Sequence, residues 1–583
     1  MRPRARSYVA ALASGGLLAV ASAPGPAGPL AFVALVPLLR RLVAGLAPGA
    51  AARAGFVTGL ASFGLGYAWL PFAEIGDGPS LAAAYALALP GLASLTALWA
   101  GAVALLARRS ARLALAAAPG LWVAFEFARA AEWVLSVPWH HLGYALAEVP
   151  ALAQSASVVG LYGLSFWVAA TNAGLVLAPR LPRAGRAALV AALAVPLLPG
   201  LSMLREGAAP EATTGPTPIR VAAVQPAIPY ADRHRPERFH ANLRAVLALS
   251  ERALARTGAP ADVVVWPESA WERPVSGGGD AFLAALAHDL GTPIVTGVWR
   301  IPVSRGAAGS GAAREPGATG ASREAASARG EVADTAAWRN AAVLAAPDGT
   351  TRAVADKVHP VPVVERAPDG AAARALARLG LWTGTFAPGA PPAPFALRGA
   401  GGGVIRAGVL VCIDAGYPEL ARGLRRAGAD VVFAVANEAG TSVWAARLHA
   451  RVTRLRAIEN RMPVVRVANG GPSQWIDAQG RVRGELASGA AGAAVHAVAA
   501  GAPMPLATRL GDVPAALAAA SALAAAVAAC ARRAPAPTAA RAAAAAPPCL
   551  PSPPRALARS FLATGAPAYG APRPTSLHPG AST

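Results

Sequence analysis

The sequence predicts a multi-span α-helical membrane domain of about eight spans, joined to an α/β domain in which two sheets lie between helix layers. Residues 1–206 form a series of apolar stretches, each long enough or nearly long enough to cross a bilayer. After residue 218, short apolar strands alternate with helical patterns. The composition also favours a membrane protein, since 55% of the 583 residues are hydrophobic, only 14% are charged and mean hydropathy is +0.42.

Seven spans are predicted before the α/β domain and an eighth after it. They lie near residues 8–23, 28–46, 54–72, 80–107, 112–130, 152–178, 187–204 and 513–530. The alternative for the first stretch is a secretory signal peptide, because Arg2, Arg4 and Arg6 precede its apolar core. The arginines of the later connections favour a retained helix instead.

Arginine is concentrated in alternate connections between these spans. It stands at positions 40, 41 and 53, then 108, 109 and 112, then 180, 183 and 186. The intervening connections are nearly free of cations, and one contains Glu74 and Asp77. By the positive-inside rule the N-terminus is therefore cytoplasmic, and seven spans place residue 206 outside. The α/β domain is predicted on the extracytoplasmic face, and the eighth span returns the chain to the cytoplasm at Arg532 and Arg533.

The α/β domain is predicted over residues 218–500. Its strands are expected at 220–225, 262–266, 293–299, 341–346, 352–357, 404–412, 430–435 and 464–469, and its helices near 236–256, 280–290, 417–427 and 443–460. Residues 302–335 are rich in Ala, Gly, Ser, Arg and Glu without periodicity, which indicates a disordered insertion in a surface loop. Residues 532–583 are an Ala/Pro-rich tail that is also predicted to be disordered.

Three side chains with catalytic potential follow predicted strands. Cys412 ends one strand and precedes a turn into a helical pattern, where a thiol is well placed to act as a nucleophile. A buried structural cysteine is the alternative. Glu268 follows a second apolar strand. Lys357 is the only lysine among the 53 Lys and Arg residues, which suggests chemistry that a guanidinium cannot perform, although chance retention is the alternative.

The order of these motifs resembles the nitrilase (carbon–nitrogen hydrolase) superfamily over about residues 218–500. Trp266-Pro267-Glu268 resembles the catalytic-glutamate motif of that superfamily, and Lys357 and Cys412 follow at fitting intervals. A domain of this kind between spans seven and eight resembles the apolipoprotein N-acyltransferase family. The motifs that carry this second resemblance lie at residues 29–38, 55–66, 138–144, 154–166 and 508–512.

The resemblance implies a four-layer α/β/β/α sandwich and a catalytic triad of Glu268, Lys357 and Cys412. The expected reaction moves an acyl chain from a phospholipid to the N-terminal amine of the S-diacylglyceryl-cysteine of bacterial apolipoproteins. It would proceed through a thioester on Cys412 with ping-pong turnover, giving mature triacylated lipoprotein. Glu268 is expected to act as general base, and Lys357 to stabilise the oxyanion together with the N–H that follows Cys412.

The same resemblance predicts a multi-pass protein of the bacterial inner membrane, with a periplasmic catalytic domain and a monomeric state. No metal and no cofactor are expected. The cysteines at 412, 530 and 549 fit no zinc motif and suggest no disulfide framework. Nucleic-acid binding is not expected despite the net charge of +22, because the arginines are dispersed and no interleaved basic and aromatic platform is present.

Four further residues are candidates for the site. The resemblance makes Glu365 a second active-site carboxylate, and a salt bridge with Arg366 is the alternative. Asp414 and Tyr417 lie beside the predicted nucleophile, where they would shape the substrate pocket. Trp139 is predicted either to contact lipid or to anchor the chain at the membrane interface.

Two other functions remain open from the sequence. A membrane-tethered amidase of the nitrilase type, which releases a free acid to water, needs the same triad, so the triad does not separate it from an acyltransferase. A membrane scaffold with a degenerate domain is disfavoured by the intact triad. The family usually has an aromatic residue and then Glu after the cysteine, whereas this chain has Ile413 and Asp414, which weakens the transfer of family contacts to those two positions.

Overall fold

The computed structural model describes residues 3–75, 78–131, 138–206, 218–233, 235–256, 261–276, 279–301, 338–362, 364–366, 378, 386–398, 403–499 and 503–531. The predicted insertion at 302–335 and the predicted tail at 532–583 therefore lie outside the described residues, as does the cysteine at 549. Residues 1–531 belong to a single compact unit.

The apolar stretches of the first 206 residues form helices, because their Ala- and Leu-rich sequences favour helix. The helices are α1 Pro3–Ala21, α2 Ala31–Ala34, α3 Val36–Leu42, α4 Pro48–Gly66, α5 Gly78–Ala107, α6 Ala111–Ala130, α7 Pro150–Ala153, α8 Ala156–Leu177, α9 Arg183–Ala194 and α10 Leu198–Glu206. Short 3₁₀ helices lie at Gly28–Leu30, Leu70–Phe72, Pro138–His140, Leu142–Leu146, Ala178–Arg180 and Val195–Leu197. Two more helices, α16 Leu506–Leu510 and α17 Val513–Ala531, follow the α/β region.

Five helices among the described residues are long and apolar enough to cross a membrane. They extend over Leu81–Ala107, Ala111–Ala130, Ala156–Arg180, Arg183–Leu204 and Val513–Ala531. These coincide with five of the predicted spans. The first predicted span forms a shorter apolar helix, Ala5–Ala21, and the third corresponds to α4.

The predicted span near 28–46 is not one continuous helix, and its crossing of the membrane stays a prediction. The chain is broken there into a 3₁₀ turn, α2 and α3, with Pro37 in the first turn of α3. Proline is favoured in a first turn because it has no N–H to leave unpaired. At the break, the backbone N–H of Leu35 donates to Oδ1 of buried Asn172 at 2.8 Å. A polar side chain of α8 thus satisfies a donor that a continuous helix would have used.

Two sheets form the α/β region. The strands are β1 Ile219–Gln225, β2 Val263–Val265, β3 Trp271–Ser276, β4 Ile294–Ile301, β5 Arg339–Ala345, β6 Thr351–Asp356, β7 Phe395–Arg398, β8 Val404–Val411, β9 Val431–Asn437, β10 Val464–Asn469, β11 Ser473–Ile476, β12 Val482–Leu486 and β13 Gly492–Val498. The first sheet has the order β13-β1-β2-β4-β5-β6, with β3 also paired to β4, and the second has the order β12-β11-β10-β9-β8-β7. The strands β1, β2 and β4 are parallel neighbours in one sheet, as are β8, β9 and β10 in the other.

Four of the five helices described in the α/β region begin and end close to where their periodicity predicts, and the short helix Tyr230–Arg233 was not predicted. The five helices are α11 Tyr230–Arg233, α12 Phe239–Ala255, α13 Ala281–Asp289, α14 Pro418–Arg426 and α15 Val443–Asn460, with 3₁₀ turns at Pro236–Arg238 and Cys412–Gly416. All eight predicted strands are present. The unpredicted strands β3, β7, β11, β12 and β13 are short or only partly buried, so their sequences lack a long apolar run.

Apolar side chains from both sheets share one core. Val221 and Val265 of the first sheet belong to the same buried cluster as Val409, Val411 and Phe433 of the second. A second cluster joins the first sheet to α12 and α13, and a third joins the second sheet to α14 and α15. Because successive side chains of a strand point to opposite faces, each sheet contributes to two of these clusters.

Helix α15 joins the α/β region to the membrane helices. Its residues Val452, Leu455 and Ile458 belong to the apolar core that the helices of the first 206 residues form. Nearby, the hydroxyl of Tyr144 donates to the carbonyl oxygen of Gly416 at 3.0 Å. The turn that contains Cys412 is therefore held directly against the helices of residues 1–206, which form the membrane half of the chain.

Candidate active site

Cys412 lies at the point where β8 passes into the 3₁₀ helix Cys412–Gly416. Its backbone has φ of +54°, in the left-handed region. For a residue other than glycine this conformation costs about 1–3 kcal/mol, and such strained residues cluster at functional sites. Cys412 is a free cysteine, and the residue as a whole is partly exposed. The chain thus places a free thiol at a strained strand-to-helix turn.

The structure brings Glu268 and Lys357 to this thiol from the other sheet. Glu268 follows β2 and Lys357 follows β6. The ammonium Nζ of Lys357 lies 3.1 Å from Oε1 of Glu268, and the Cys412 thiol is close enough to both groups for their charges to shift its pKa. Lys357 is only 1% exposed and Glu268 only 4%. The three predicted residues therefore meet in one buried cluster between the sheets, while their catalytic roles stay a prediction.

Two further donors fix the carboxylate of Glu268. Its Oε1 accepts from the side-chain amide of Asn340 at 2.7 Å, in addition to Lys357. Its Oε2 accepts from the backbone N–H of Asn437, at the end of β9, at 2.8 Å. A carboxylate held by this many donors has a defined orientation, which a general base requires.

Glu365 is the second carboxylate that contacts Lys357. Its Oε2 is 2.8 Å from Nζ of Lys357, and its Oε1 accepts from the amide of Asn340 at 2.8 Å. The backbone N–H of Val361 also donates to Oε2 at 2.6 Å. Lys357 is therefore held between two carboxylates, which is the contact that the orienting role of Glu365 requires.

Burial and charge set the resting protonation of the three groups. Burial raises the pKa of Cys412 well above its ordinary value, the negative charge of Glu268 adds to this, and Lys357 opposes it without outweighing it. Burial also acts to raise the pKa of Glu268, but Lys357 and the hydrogen bonds from Asn340, Lys357 and Cys412 outweigh it and lower this pKa. Burial acts to lower the pKa of Lys357, but the surrounding groups raise it. The resting site therefore combines a thiol, a carboxylate and an ammonium.

Asp414 and Tyr417 connect the segment of the nucleophile to the segment of the lysine. The carboxylate of Asp414 accepts from the backbone N–H groups of Val358 at 3.0 Å and His359 at 2.9 Å. The ring of Tyr417 stacks on that of His359, with 3.6 Å between the ring centroids. These contacts hold together the turns that follow β6 and β8, and a direct contact with substrate stays a prediction.

The stability that the protein gains from Asp414 is expected to fall as pH rises from about 4 to about 7. Burial raises the folded-state pKa of Asp414 from 3.8 to about 7, so folding binds a proton between these values and stability declines as that proton is lost. Asp414→Asn removes the titration. In detergent, the melting temperature of the wild type should fall relative to that of the variant across this range, and a constant difference would contradict the prediction.

Trp139 packs between two aromatic rings of the chain. Its ring centroid lies 5.8 Å from that of Trp69 and 5.6 Å from that of His449, and both pairs are stacked. Trp139 thereby links the membrane half to α15, close to the turn that contains Cys412. Its predicted contact with lipid and its predicted role as an interfacial anchor both stay predictions.

Several polar residues of the site were not identified from the sequence. Asn340 directly precedes the apolar run of β5, and a polar residue next to such a run was a usable signal. Asn437 and Glu438 follow the apolar run of β9, and the position after a strand was again a usable signal. His449 lies within a helix of mixed composition and gives no such signal.

Gly297 on β4 makes room for the loop that presents Glu268. A Cβ atom added at Gly297 would lie 2.5 Å from Cα of Glu268 and 2.5 Å from the backbone nitrogen of Ser269. Both contacts are with backbone or Cα atoms, so the loop itself would have to move. We expect Gly297→Ala to lower kcat by about tenfold to a hundredfold, because misplacing a catalytic group by about 1 Å has an effect of this size.

The matched control for this substitution is Gly423→Ala on α14. An added Cβ atom there meets no atom within 4 Å, and the position is helical. The control should keep wild-type activity, since alanine favours helix over glycine. Equal activity of the two variants in an acyl-transfer assay would show that the Glu268 loop does not depend on Gly297.

The arrangement supplies the groups of covalent acyl chemistry. Cys412 offers a nucleophile, Glu268 a base close to it, and Lys357 a cation next to Glu268. These groups are suited to attack on a carbonyl carbon. Among the described residues, no group of three or more His, Cys, Asp or Glu side chains is arranged to hold a metal ion.

Comparisons with known proteins identify two matching families. Residues 14–174 match the family described as the apolipoprotein N-acyltransferase N-terminal domain, and residues 220–502 match the carbon-nitrogen hydrolase family. The apolipoprotein N-acyltransferase of Geobacter metallireducens is 32% identical over 502 residues, which cover 82% of this chain and 87% of the relative. That of Bradyrhizobium diazoefficiens is 30% identical over 554 residues, covering 87% and 92%. Among solved structures, an amidase from Nesterenkonia sp. is similar with 20% identity and a TM-score of 0.32, over 48% of this chain and 91% of the amidase.

Proposed function

The chain belongs to the apolipoprotein N-acyltransferase family, and from this premise we propose that it transfers an acyl chain from a phospholipid to an apolipoprotein. The acceptor is the N-terminal amine of the S-diacylglyceryl-cysteine, and the product is mature triacylated lipoprotein. The observation that carries the proposal is the meeting of Glu268, Lys357 and Cys412 in one buried cluster. The contact of the neighbouring turn with Tyr144 of the membrane half supports a lipid as the acyl donor.

In the first half-reaction, the sulfur of Cys412 attacks the carbonyl carbon of the phospholipid ester. Because the resting thiol is protonated, its proton passes to Glu268 as the sulfur–carbon bond forms. The oxyanion that develops is stabilised by the ammonium of Lys357, which loses one of its two charged partners when Glu268 becomes neutral. The ester carbon–oxygen bond then breaks, Glu268 returns the proton to the leaving alkoxide, and a thioester and a lysophospholipid result.

In the second half-reaction, the neutral amine of the diacylated lipoprotein attacks the thioester carbon. Glu268 accepts a proton from the attacking nitrogen, and Lys357 again lies beside the oxyanion. The carbon–sulfur bond breaks, the sulfur regains the proton, and an amide is released. Glu365 keeps Lys357 in place through both steps by its contact of 2.8 Å with Nζ.

The membrane arrangement proposed from the sequence goes with this reaction. The chain is placed in the bacterial inner membrane with eight spans, a four-layer α/β/β/α catalytic domain on the periplasmic side, and a monomeric state. The five long apolar helices and the alternation of arginine-rich connections support this arrangement. Donor lipid and acceptor lipoprotein would then both reach the site from the outer leaflet of that membrane.

Product analysis separates acyl transfer from hydrolysis. Purified protein in lipid nanodiscs receives phospholipid with a labelled acyl chain, together with a diacylated lipopeptide. Label in triacylated lipopeptide is the expected result, whereas free fatty acid without that product would assign the amidase or hydrolase alternative. The matched control is the same lipopeptide with an acetylated N-terminus, which has no free amine and should take up no label.

A further inference from the structure

We propose that His449 on α15 is a positioning residue for this reaction. It holds the peptide unit between Cys412 and Ile413 so that the N–H of Ile413 points at the reacting acyl oxygen. The inference deepens the proposed function and rests on it. Neither the order of the sequence motifs nor the triad accounts for a buried histidine at this place.

The ring of His449 contacts the nucleophile's own backbone. Its Nε2 lies 2.8 Å from the carbonyl oxygen of Cys412, and the residue is 3% exposed. A carbonyl oxygen can only accept a hydrogen bond, so Nε2 must carry the proton that is donated. The contact therefore holds the oxygen atom of one particular peptide unit.

A buried ionic network fixes the orientation of the His449 ring. Its Nδ1 lies 2.7 Å from Oε1 of Glu438, and the guanidinium of Arg466 bonds the same oxygen. Arg466 also donates to the carbonyl oxygen of Pro472. His449, Glu438 and Arg466 are all buried. Nδ1 is thus held in place, so Nε2 faces the carbonyl oxygen of Cys412 at a fixed angle.

The geometry of a peptide unit connects this contact to catalysis. In a planar trans peptide, the C=O and the N–H point in opposite directions. Fixing the carbonyl of Cys412 therefore also fixes the direction of the N–H of Ile413. Ile413 is the second residue of the 3₁₀ helix Cys412–Gly416, and the first N–H groups of a helix have no partner within it. Such a donor is available to an oxyanion that forms on the carbon attacked by Cys412.

The strained backbone of Cys412 explains why such support is needed. With φ of +54°, this residue is in a conformation that a non-glycine side chain adopts only when its surroundings impose it. The stacked ring of Trp139, 5.6 Å from that of His449 by centroid distance, covers one face of the imidazole. The nucleophile's turn is thus held by a histidine that is itself held on three sides.

Two substitutions at position 449 separate positioning from a general structural role. His449→Leu removes the donor, whereas His449→Gln keeps an N–H that can reach the same carbonyl oxygen. The matched control is His288→Leu on α13, because Nδ1 of His288 also contacts a backbone carbonyl, that of Pro347 at 3.0 Å, on the exposed surface. Each protein is tested for acyl-thioester formation from phospholipid in a single turnover, and separately for alkylation of Cys412 by iodoacetamide.

Acylation and alkylation of Cys412 differ in whether an oxyanion forms. Acylation passes through an oxyanion, whereas alkylation by iodoacetamide does not. We expect His449→Leu to slow acylation by about tenfold to a hundredfold, because the N–H of Ile413 is then no longer held in the direction of the oxyanion. Alkylation should stay within about threefold of wild type, and His449→Gln and His288→Leu should acylate at close to the wild-type rate.

The remaining outcomes overturn the inference. If acylation and alkylation of His449→Leu fall together, or if His449→Gln is as slow as His449→Leu, the histidine has a structural role only. If His449→Leu acylates like wild type, the contact has no role in positioning. If wild type itself forms no thioester, the proposed function has failed and the inference fails with it. The wild-type reaction tests the proposed function separately from the variants.

Discussion

Cys412→Ala is expected to abolish acyl transfer, with a loss of at least about 10⁴-fold in kcat, because removal of a covalent nucleophile leaves only the residual effects of binding and charge. Cys412 is a free cysteine beside Glu268 and Lys357, and no other side chain of this triad can form a thioester. The measurement is the rate of triacylated lipopeptide formation from labelled phospholipid.

The matched control is Cys530→Ala. Cys530 is an exposed cysteine on α17 and is also free. This variant should transfer acyl chains at the wild-type rate. Cys412→Ser tests the same assignment with a smaller change, since it should form no acyl-thioester. Normal turnover by either Cys412 variant would show that the nucleophile is a different group.

Lys357→Arg is expected to lower kcat by about 10²- to 10³-fold, although the positive charge is kept. Lys357 is 1% exposed and lies within 3.1 Å of Glu268 and 2.8 Å of Glu365. A planar guanidinium is larger than an ammonium, so it cannot keep both contacts and still face the oxyanion. The check is kcat at saturating phospholipid, combined with the melting temperature to show that the variant is folded.

Lys357→Met is expected to lower the stability of the folded protein as well as kcat. It leaves the carboxylates of Glu268 and Glu365 buried without their cation, and breaking a buried ion pair in this way costs about 3–5 kcal/mol. The melting temperature of Lys357→Met should therefore fall below that of Lys357→Arg. The control is Arg300→Lys, the reverse exchange at the ion pair with Asp356, next to Lys357 in the chain. Arg300→Lys should retain kcat within about threefold, and a Lys357→Arg variant as active as this control would contradict the role of the ammonium.

The sequence revealed those site residues that come directly after a strand. Glu268 and Cys412 each follow a short apolar run, and both runs are buried strands. Lys357 follows the half-exposed strand β6, which contains Arg352 and Asp356, and it was singled out because it is the only lysine of the sequence. The physical reason is that a buried strand must be apolar, so its end is easily recognised. The pattern did not reveal that Glu268 and Lys357 come from one sheet and Cys412 from the other, because sheet membership depends on contacts distant in sequence.

Other contacts of the site have no sequence signal of this kind. The N–H of Asn437 that holds Glu268 is a backbone group, and every residue except proline has one. His449 acts on the carbonyl of Cys412 from a helix 37 residues further along the chain. Neither a backbone donor nor a single histidine changes the local periodicity, so only the folded structure shows their contacts.

The membrane half illustrates a second limit of sequence patterns. A hydropathy window detects apolar composition, and five of the predicted spans are long helices in the described part of the chain. The stretch near 28–46 is equally apolar, yet Asn172 satisfies a backbone donor at a break in the helix there. Side-chain hydrogen bonds from a neighbouring helix are what permit such a break in an apolar environment.

The most direct test of the whole account is the mass of the intact protein before and after each substrate is added. With phospholipid alone, wild type should gain one acyl chain, which peptide mapping places on Cys412 and which hydroxylamine removes as expected for a thioester. Adding diacylated lipopeptide should then remove that mass while an equal amount of triacylated product appears. Absence of the acyl group from Cys412, or its release as free fatty acid regardless of the lipopeptide amine, would contradict acyl transfer through this residue.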